Sequence, residues 1–234
     1  MQILLYAISV VMGYILGSVN VSVIVSKIVY KGDVRKHGSG NAGATNMARV
    51  YGPVGGMIVL VGDFIKAVAA IGFSRLIADG VLPGNITVYE ICGMLAGIFC
   101  IIGHAFPVFF KFRGGKGVTV GAAIALMSDW KALVVIVIVF IAVFATTRIV
   151  SISSMSGGIA LIITVALLFV FNGLSLERLI LCVFASVLVI ALHHSNIKRL
   201  IHGEEKEFKF KKSDKSAKQE SVEPEKSEAE QKGE

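Results

Sequence analysis

Seven apolar runs with short polar connections dominate this chain of 234 residues: 3–29, 54–78, 87–103, 118–127, 131–147, 152–171 and 176–192. A bilayer core of ~30 Å is crossed by about 20 helical residues, with about 17 as the lower bound. Lipid offers no partner to a backbone N–H or C=O, so a spanning segment must satisfy its own, as a helix does. The runs therefore predict an all-α, polytopic integral membrane protein of about seven transmembrane helices, with short or re-entrant polar segments on the cytoplasmic side. Run 118–127 is too short to cross alone. It either recruits the glycine-rich stretch before it or enters as a half-helix, and five crossings result if it and a neighbour fail to traverse. Composition agrees: 55% of residues are hydrophobic and 17% charged, against about 25% charged in a soluble domain.

The charge distribution orients the chain. From Gly203 onward 8 lysines face 10 acidic residues, a balance of −2, so with a net +7 residues 1–202 carry +9. Connections 30–53, 104–117 and 148–151 hold the basic residues, whereas 79–86, 128–130 and 172–175 hold none. Basic residues favour the inner face, which predicts an N-terminus outside and a C-terminus in the cytoplasm. The N-terminus has no basic leader and too long an apolar run for a signal peptide, and reads as the first span. Residues 1–205 form the expected transmembrane domain. Residues 206–234, rich in Lys, Glu and Ser, form an expected charged, disordered tail. Cys92, Cys100 and Cys182 lie in apolar runs, with no disulfide or metal spacing.

Three polar segments share the inner side. In KHGSGNAGATNMAR, residues 36–49, Ser39, Gly40, Asn41, Thr45, Asn46 and Arg49 present donors and a cation suited to an anionic head group. The same small residues also suit close helix packing. In GHAFPVFFKFRGGKG, residues 103–117, Gly114, Gly115 and Gly117 surround Lys116. Such glycines let backbone N–H groups converge on phosphate; a flexible basic inner loop would look the same. The segment is not a Walker A motif, because Phe110 stands at the first glycine position and Gly117 follows the lysine. In HHSNIKRLIHGEE, residues 193–205, His193 and Asn196 lie one helical turn apart. Lys198 and Arg199 read as head-group anchors that Glu204 and Glu205 can pair with. Asp63 and Lys66, three residues apart in the second run, are expected to form a structural ion pair holding that helix to the polar loops, with a substrate role as the alternative.

Other chemistries find no support. A nucleophile elbow fails at His37, which stands where G-x-S-x-G around Ser39 needs glycine. The His-x4-Asp acyltransferase signature is absent, and so is the H-E-x-x-H of zinc hydrolases.

Together the three segments, in this order, closely resemble the bacterial acyl-phosphate:glycerol-3-phosphate acyltransferases, the PlsY family. GDFIKA at 62–67 and TRIVSISS at 147–154 add to the resemblance, which runs from Gly17 to Glu205. Asn20, Arg113 and His194 depart from the family's usual Pro, Lys and Arg. The resemblance implies transfer of a fatty acyl group from acyl phosphate to the 1-hydroxyl of sn-glycerol 3-phosphate, giving lysophosphatidic acid and phosphate. It implies an active site at the cytoplasmic face of the inner membrane, with no cofactor, metal or nucleic acid. Membrane lipid would surround the enzyme, and an acyl-phosphate-forming partner enzyme leaves no mark in the sequence. By the same resemblance Ser39, Arg49, Lys116, His193 and Asn196 serve catalysis. Gly40, Asn41, Thr45, Asn46, Gly114, Gly115, Gly117 and Ser154 bind phosphate, with Ser151 as a second serine; Asp63, Lys66 and Glu205 are structural. Glycerol phosphate attacks directly, a substrate phosphate oxygen taking the proton; the rival is an acyl-Ser39 intermediate helped by His37. Two other classes remain. An organic-phosphate transporter would also use glycine loops near cations, although no internal repeat is visible; a non-catalytic scaffold would lose nothing with Lys116.

Overall fold

The computed structural model describes residues 1–208, and among them every regular element is helical. The helices are α1 (Gln2–Ser18), α2 (Val21–Ile28), α3 (Ala44–Tyr51), α4 (Pro53–Val81), α5 (Ile86–Ala105), α6 (Val118–Ser128), α7 (Trp130–Thr147), α8 (Val150–Asn172), α9 (Leu176–Leu192) and α10 (His194–Ile201).

Among the described residues, five stretches are long and apolar enough to cross a membrane: Gln2–Ile28, Pro53–Val81, Ile86–Phe110, Trp130–Thr147 and Val150–Asn172. The pair α9 and α10, bent by 52°, makes a sixth if counted as one span. Five or six of the seven expected crossings thus qualify by length and composition: α6 falls short in either count, and α9 qualifies only together with α10. The 11 residues of α6 reach only about 16 Å.

The first run is broken where the sequence reads as continuous. Asn20 Oδ1 accepts from Val23 N–H at 3.0 Å and caps α2, an N-terminal preference that competes with an unbroken helix. The Val19 carbonyl released by the break accepts a hydrogen bond from Lys66 Nζ at 2.8 Å. Elsewhere the boundaries follow local chemistry. Pro53 opens α4 after Gly52, at φ 88°, while Asn85 and Asp129 side chains cap α5 and α7.

Glycines set the tightest packing. A Cβ on Gly13, Gly17 or Gly103 would run into backbone atoms of the facing helix in the α1–α5 pair, so these backbones approach as closely as small residues permit.

The short α6 ends inside the protein and its last carbonyls need donors. Arg75 Nη1 donates to Met127 O at 2.9 Å, and Arg178 Nη1 donates to Ser128 O at 3.0 Å. Both guanidinium groups pair with Glu90, at 2.8 and 2.6 Å. This triad, in which Glu90 and Arg75 are buried and Arg178 is partly exposed, fixes one end of α6, and Gly117 joins the other end to Lys116. Past Glu205 the backbone stays against the bundle, Phe208 N–H donating to Arg148 O at 2.8 Å. The rest of the expected tail, from 209, lies outside the described residues.

Candidate active site

The loop before α3 is built around one amide. Asn46, on α3 and 1% exposed, accepts from Ser39 N–H at 2.9 Å and donates to Val34 O and His37 O at 3.0 Å each. Its donors are committed to folding the loop, and that fold carries Ser39. Arg35 then ties this loop to the next. Its guanidinium pairs with Asp33 at 2.8 Å and donates to Phe110 O at 2.8 Å. That guanidinium holds the Asp33 carboxyl down at about 2.

The GGKG loop turns back over the end of α5. Gly114 N–H donates to Ala105 O and Gly115 N–H to His104 O, both at 3.1 Å. These two N–H groups are therefore spent on the open carbonyls of a helix C-terminus, contrary to the expectation that they meet phosphate. Gly115 also lies so close to the His104 imidazole that a Cβ would overlap Nε2. Gly117 turns the chain into α6 at φ 77°, a left-handed conformation that glycine adopts without cost. Gly40 N–H is similarly occupied, by His37 O at 3.1 Å.

Beneath the loop sits a buried charge cluster. Lys66 Nζ pairs with Asp63 at 2.7 Å and lies 3.1 Å from His104 Nδ1. Since Lys66 also holds Val19, the cluster joins α4 to the α1–α2 break and to the end of α5.

The third segment closes the site. Lys116 Nζ donates to Asn196 Oδ1. Asn196 Nδ2 donates to Glu205 Oε1 at 2.5 Å, where Ser151 Oγ also donates at 2.7 Å; Arg199 Nε donates to Oε2 at 2.6 Å. Burial opposes the charge of Glu205, yet the bonds from Asn196, Ser151 and Arg199 outweigh it and hold its carboxyl below the ordinary range. His193 Nδ1 lies 2.7 Å from Val189 O. A carbonyl only accepts, so Nδ1 carries the proton and Nε2 of the neutral ring is an acceptor. Burial, with Lys116 nearby, keeps this imidazole below its usual pKa despite the backbone bond.

Among these groups the Lys116 ammonium is strongly perturbed. Burial first, then Arg199, with Arg49 adding and Glu205 opposing, pushes its ammonium down to about 8. Arg49 makes no hydrogen bond or ion pair among the described residues and faces the same space.

These groups line one cavity of about 540 Å³, which holds Ser39, Asn41, Thr45, Asn46, Arg49, Asp63, Lys116, Gly117, Ser154, His193, Asn196 and Glu205. Gly40, Lys66, Gly114 and Gly115 do not line it. A second, apolar cavity of about 380 Å³ shares Leu60, Val118, Thr119, Phe140 and Ser154 with the first. Among the described residues no group of three or more His, Cys, Asp or Glu side chains could hold a metal ion.

A family model described as glycerol-3-phosphate acyltransferase matches residues 7–203. The chain belongs to the glycerol-3-phosphate acyltransferase family. It is 35% identical over 207 residues to the glycerol-3-phosphate acyltransferase of Bacillus subtilis, covering 88% of this chain and 100% of that one. It is 35% identical over 199 residues to glycerol-3-phosphate acyltransferase 2 of Bacillus anthracis, covering 84% and 96%. The fold is similar to the crystal structure of PlsY (YgiH), an integral membrane glycerol 3-phosphate acyltransferase, in its glycerol 3-phosphate form. The TM-score is 0.73 at 30% identity, over 87% of this chain and 96% of that one. The lysophosphatidic acid form of that protein gives 0.71 at the same identity, over 87% and 95%. This chain is therefore an integral membrane enzyme of the acyltransferase class.

Two parts of this acyltransferase's cavity escaped the sequence reading. Arg199, read as a lipid anchor that Glu205 can pair with, does pair with Glu205 but also faces the cavity; its place one turn after Asn196 was the available signal. His104 lines the cavity and joins the Asp63–Lys66 pair, and no sequence pattern set it apart from a buried helix-end histidine.

Proposed function

We propose that this enzyme moves a fatty acyl group from acyl phosphate to the 1-hydroxyl of sn-glycerol 3-phosphate, releasing lysophosphatidic acid and inorganic phosphate. The observation that carries the reading is the join between the two cavities. A polar chamber with uncommitted Arg49 and partly buried Lys116 lies beside an apolar groove and shares five wall residues with it. Two phosphorylated reactants fit the first and an acyl chain fits the second.

Arg49 and Lys116 offset the repulsion between the two phosphates. Asn196, held by Glu205, aims Lys116; Asn41, Thr45, Ser154 and the Gly117 backbone add donors around the phosphates. The unprotonated Nε2 of His193 accepts from a glycerol hydroxyl and orients it. The 1-hydroxyl oxygen attacks the acyl carbon, the bond from that carbon to the phosphate oxygen breaks, and inorganic phosphate leaves with that electron pair. The proton passes to a substrate phosphate oxygen, whose second pKa of about 6 suits a base near neutrality. Ser39 donates to the charge that develops on the acyl oxygen. A covalent acyl-Ser39 route requires an adjacent base, and no imidazole or carboxylate is hydrogen-bonded to Ser39 Oγ among the described residues.

The cavity opens at the end of the bundle that carries Lys31, Arg35, Lys36, Lys111, Arg113 and Lys198. That placement supports a cytoplasmic site, an external N-terminus and the bacterial inner membrane. The native cysteines are buried, so the Gly84→Cys variant in intact cells should react with an impermeant thiol reagent; protection of the introduced thiol until lysis would invert the topology.

The enzymatic test uses purified protein in detergent with glycerol 3-phosphate and acyl phosphate, following phosphate release and esterified product. Acyl-CoA and acyl carrier protein are the comparison donors. Turnover with acyl-CoA and none with acyl phosphate overturns the donor assignment. A hydroxylamine-sensitive acyl-enzyme trapped during turnover overturns direct attack.

A further inference from the structure

The glycines of this chain fall into two groups that packing separates. In the α1–α5 seam a Cβ would collide with backbone, so glycine is required for the fold. Gly121 on α6 and Gly157 and Gly158 on α8 are different. A Cβ on Gly121 would sit 3.6 Å from Val189 Cγ2, one on Gly157 would sit 3.7 Å from Ile136 O, and one on Gly158 would come no nearer than 3.6 Å to Ile190. These are ordinary van der Waals distances. All three lie inside helices, where glycine is less stable than alanine by about 1 kcal/mol, and neither packing nor a positive φ requires them. All three line the apolar groove.

A second observation marks the same layer. Ser186, 2% exposed, lines the same groove next to Gly158, and its Oγ has no hydrogen-bond partner among the described residues. Protein interiors leave few such atoms unpaired, which sets this level of the groove apart from the packed α1–α5 seam.

The depth of the layer follows from the helices. Ser154 lines both cavities. Gly157 and Gly158 lie one turn further along α8, about 5 Å deeper, and Gly121 lies one turn below Val118 at the start of α6. Leu161 lies a further turn along. An extended chain leaving the polar chamber reaches the glycine layer after about four carbons and Leu161 after about eight.

We infer that Gly121, Gly157 and Gly158 form a throat through which the donor's acyl chain passes from the polar chamber into the groove, and that their lack of side chains sets which acyl chains this enzyme accepts. The inference rests on the acyl phosphate reading above. A side chain in the throat displaces hydrocarbon from the groove, and each methylene so displaced lowers affinity about fourfold.

The experiment compares kcat/KM for palmitoyl phosphate and butyryl phosphate, by phosphate release, in wild type, Gly121→Ala, Gly157→Ala and Gly157→Leu. Detergent melting points are taken in parallel. The alanine variants should melt no lower than wild type, and their palmitoyl-to-butyryl ratio should fall about fourfold. Gly157→Leu should lower that ratio at least about tenfold; if it fails to fold, the alanine variants decide. An unchanged ratio, or equal loss with both donors, overturns the throat while leaving the function standing. A wild type inactive with both acyl phosphates but active with another donor overturns both.

Discussion

The pH profile of acceptor use isolates the part played by Lys116. Its ammonium sits against Asn196, near Arg49 and Arg199, and burial with these neighbours lowers its pKa to about 8 from 10.5. Holding the charge there costs on the order of 3 kcal/mol more than in water, a cost that the proposed phosphate dianion would offset. In the free enzyme the charged fraction is then about nine-tenths at pH 7 and about one-tenth at pH 9. The value of kcat/KM reports the free enzyme, so for glycerol 3-phosphate it should fall about tenfold between pH 7 and 9. Initial rates are corrected for spontaneous donor hydrolysis. Lys116→Arg keeps a cation that does not titrate in this range, and its profile should be flat there, even if lower throughout. A flat wild-type profile, or the same alkaline limb in Lys116→Arg, refutes the reasoning. The sign for stability is opposite. Between pH 8 and 10.5 the unfolded lysine keeps a proton that the folded one has released, so unfolding should become harder as pH rises through that window.

The carboxylate of Glu205 accepts from Asn196, Ser151 and Arg199. Glu205→Ala should lower stability by about 2–3 kcal/mol, a charged bond being worth about 1.5–3 and the 40% exposure of the Arg199 side chain reducing it. It should also raise KM for glycerol 3-phosphate about tenfold; Glu205→Gln should recover part of the stability, and an unchanged KM in the alanine variant would rule out a hold on Lys116 through Asn196. At the other end of α6, Glu90→Ala leaves Arg75 and Arg178 without their shared anion. Breaking a buried pair costs about 3–5 kcal/mol, so the detergent melting point should drop by several degrees, and an unaltered one would dismiss the triad as the anchor of α6.

The legible parts of this molecule are those that repeat a one-dimensional rule. Runs of apolar residues predicted the helices, and α4, α5, α7 and α8 lie close to their expected ranges. The less legible parts depend on where an unpaired backbone group ends up. Asn20 breaks the first run because its amide caps a new helix, and the carbonyl so released takes Lys66. An intramembrane lysine read as half of an ion pair therefore also closes a gap in the backbone. The same holds at GGKG. The motif suggested N–H groups aimed at phosphate, but the carbonyls ending α5 claim the N–H groups of Gly114 and Gly115 first.

This division of labour bears on what the glycines contribute. If Gly114 and Gly115 bond to α5, phosphate binding rests on side chains, Arg49 and Lys116 foremost, and the glycines govern where Lys116 stands. Gly115 has no room for a methyl beside His104, so enlarging it displaces the lysine instead of removing a ligand. Lys116 is in turn fixed by Asn196 from α10, and α6 leaves from the same point toward the Glu90 anchor. One short helix thus lines both the charged chamber and the apolar groove, so the placement of Lys116 and the width of the proposed acyl throat depend on the same element.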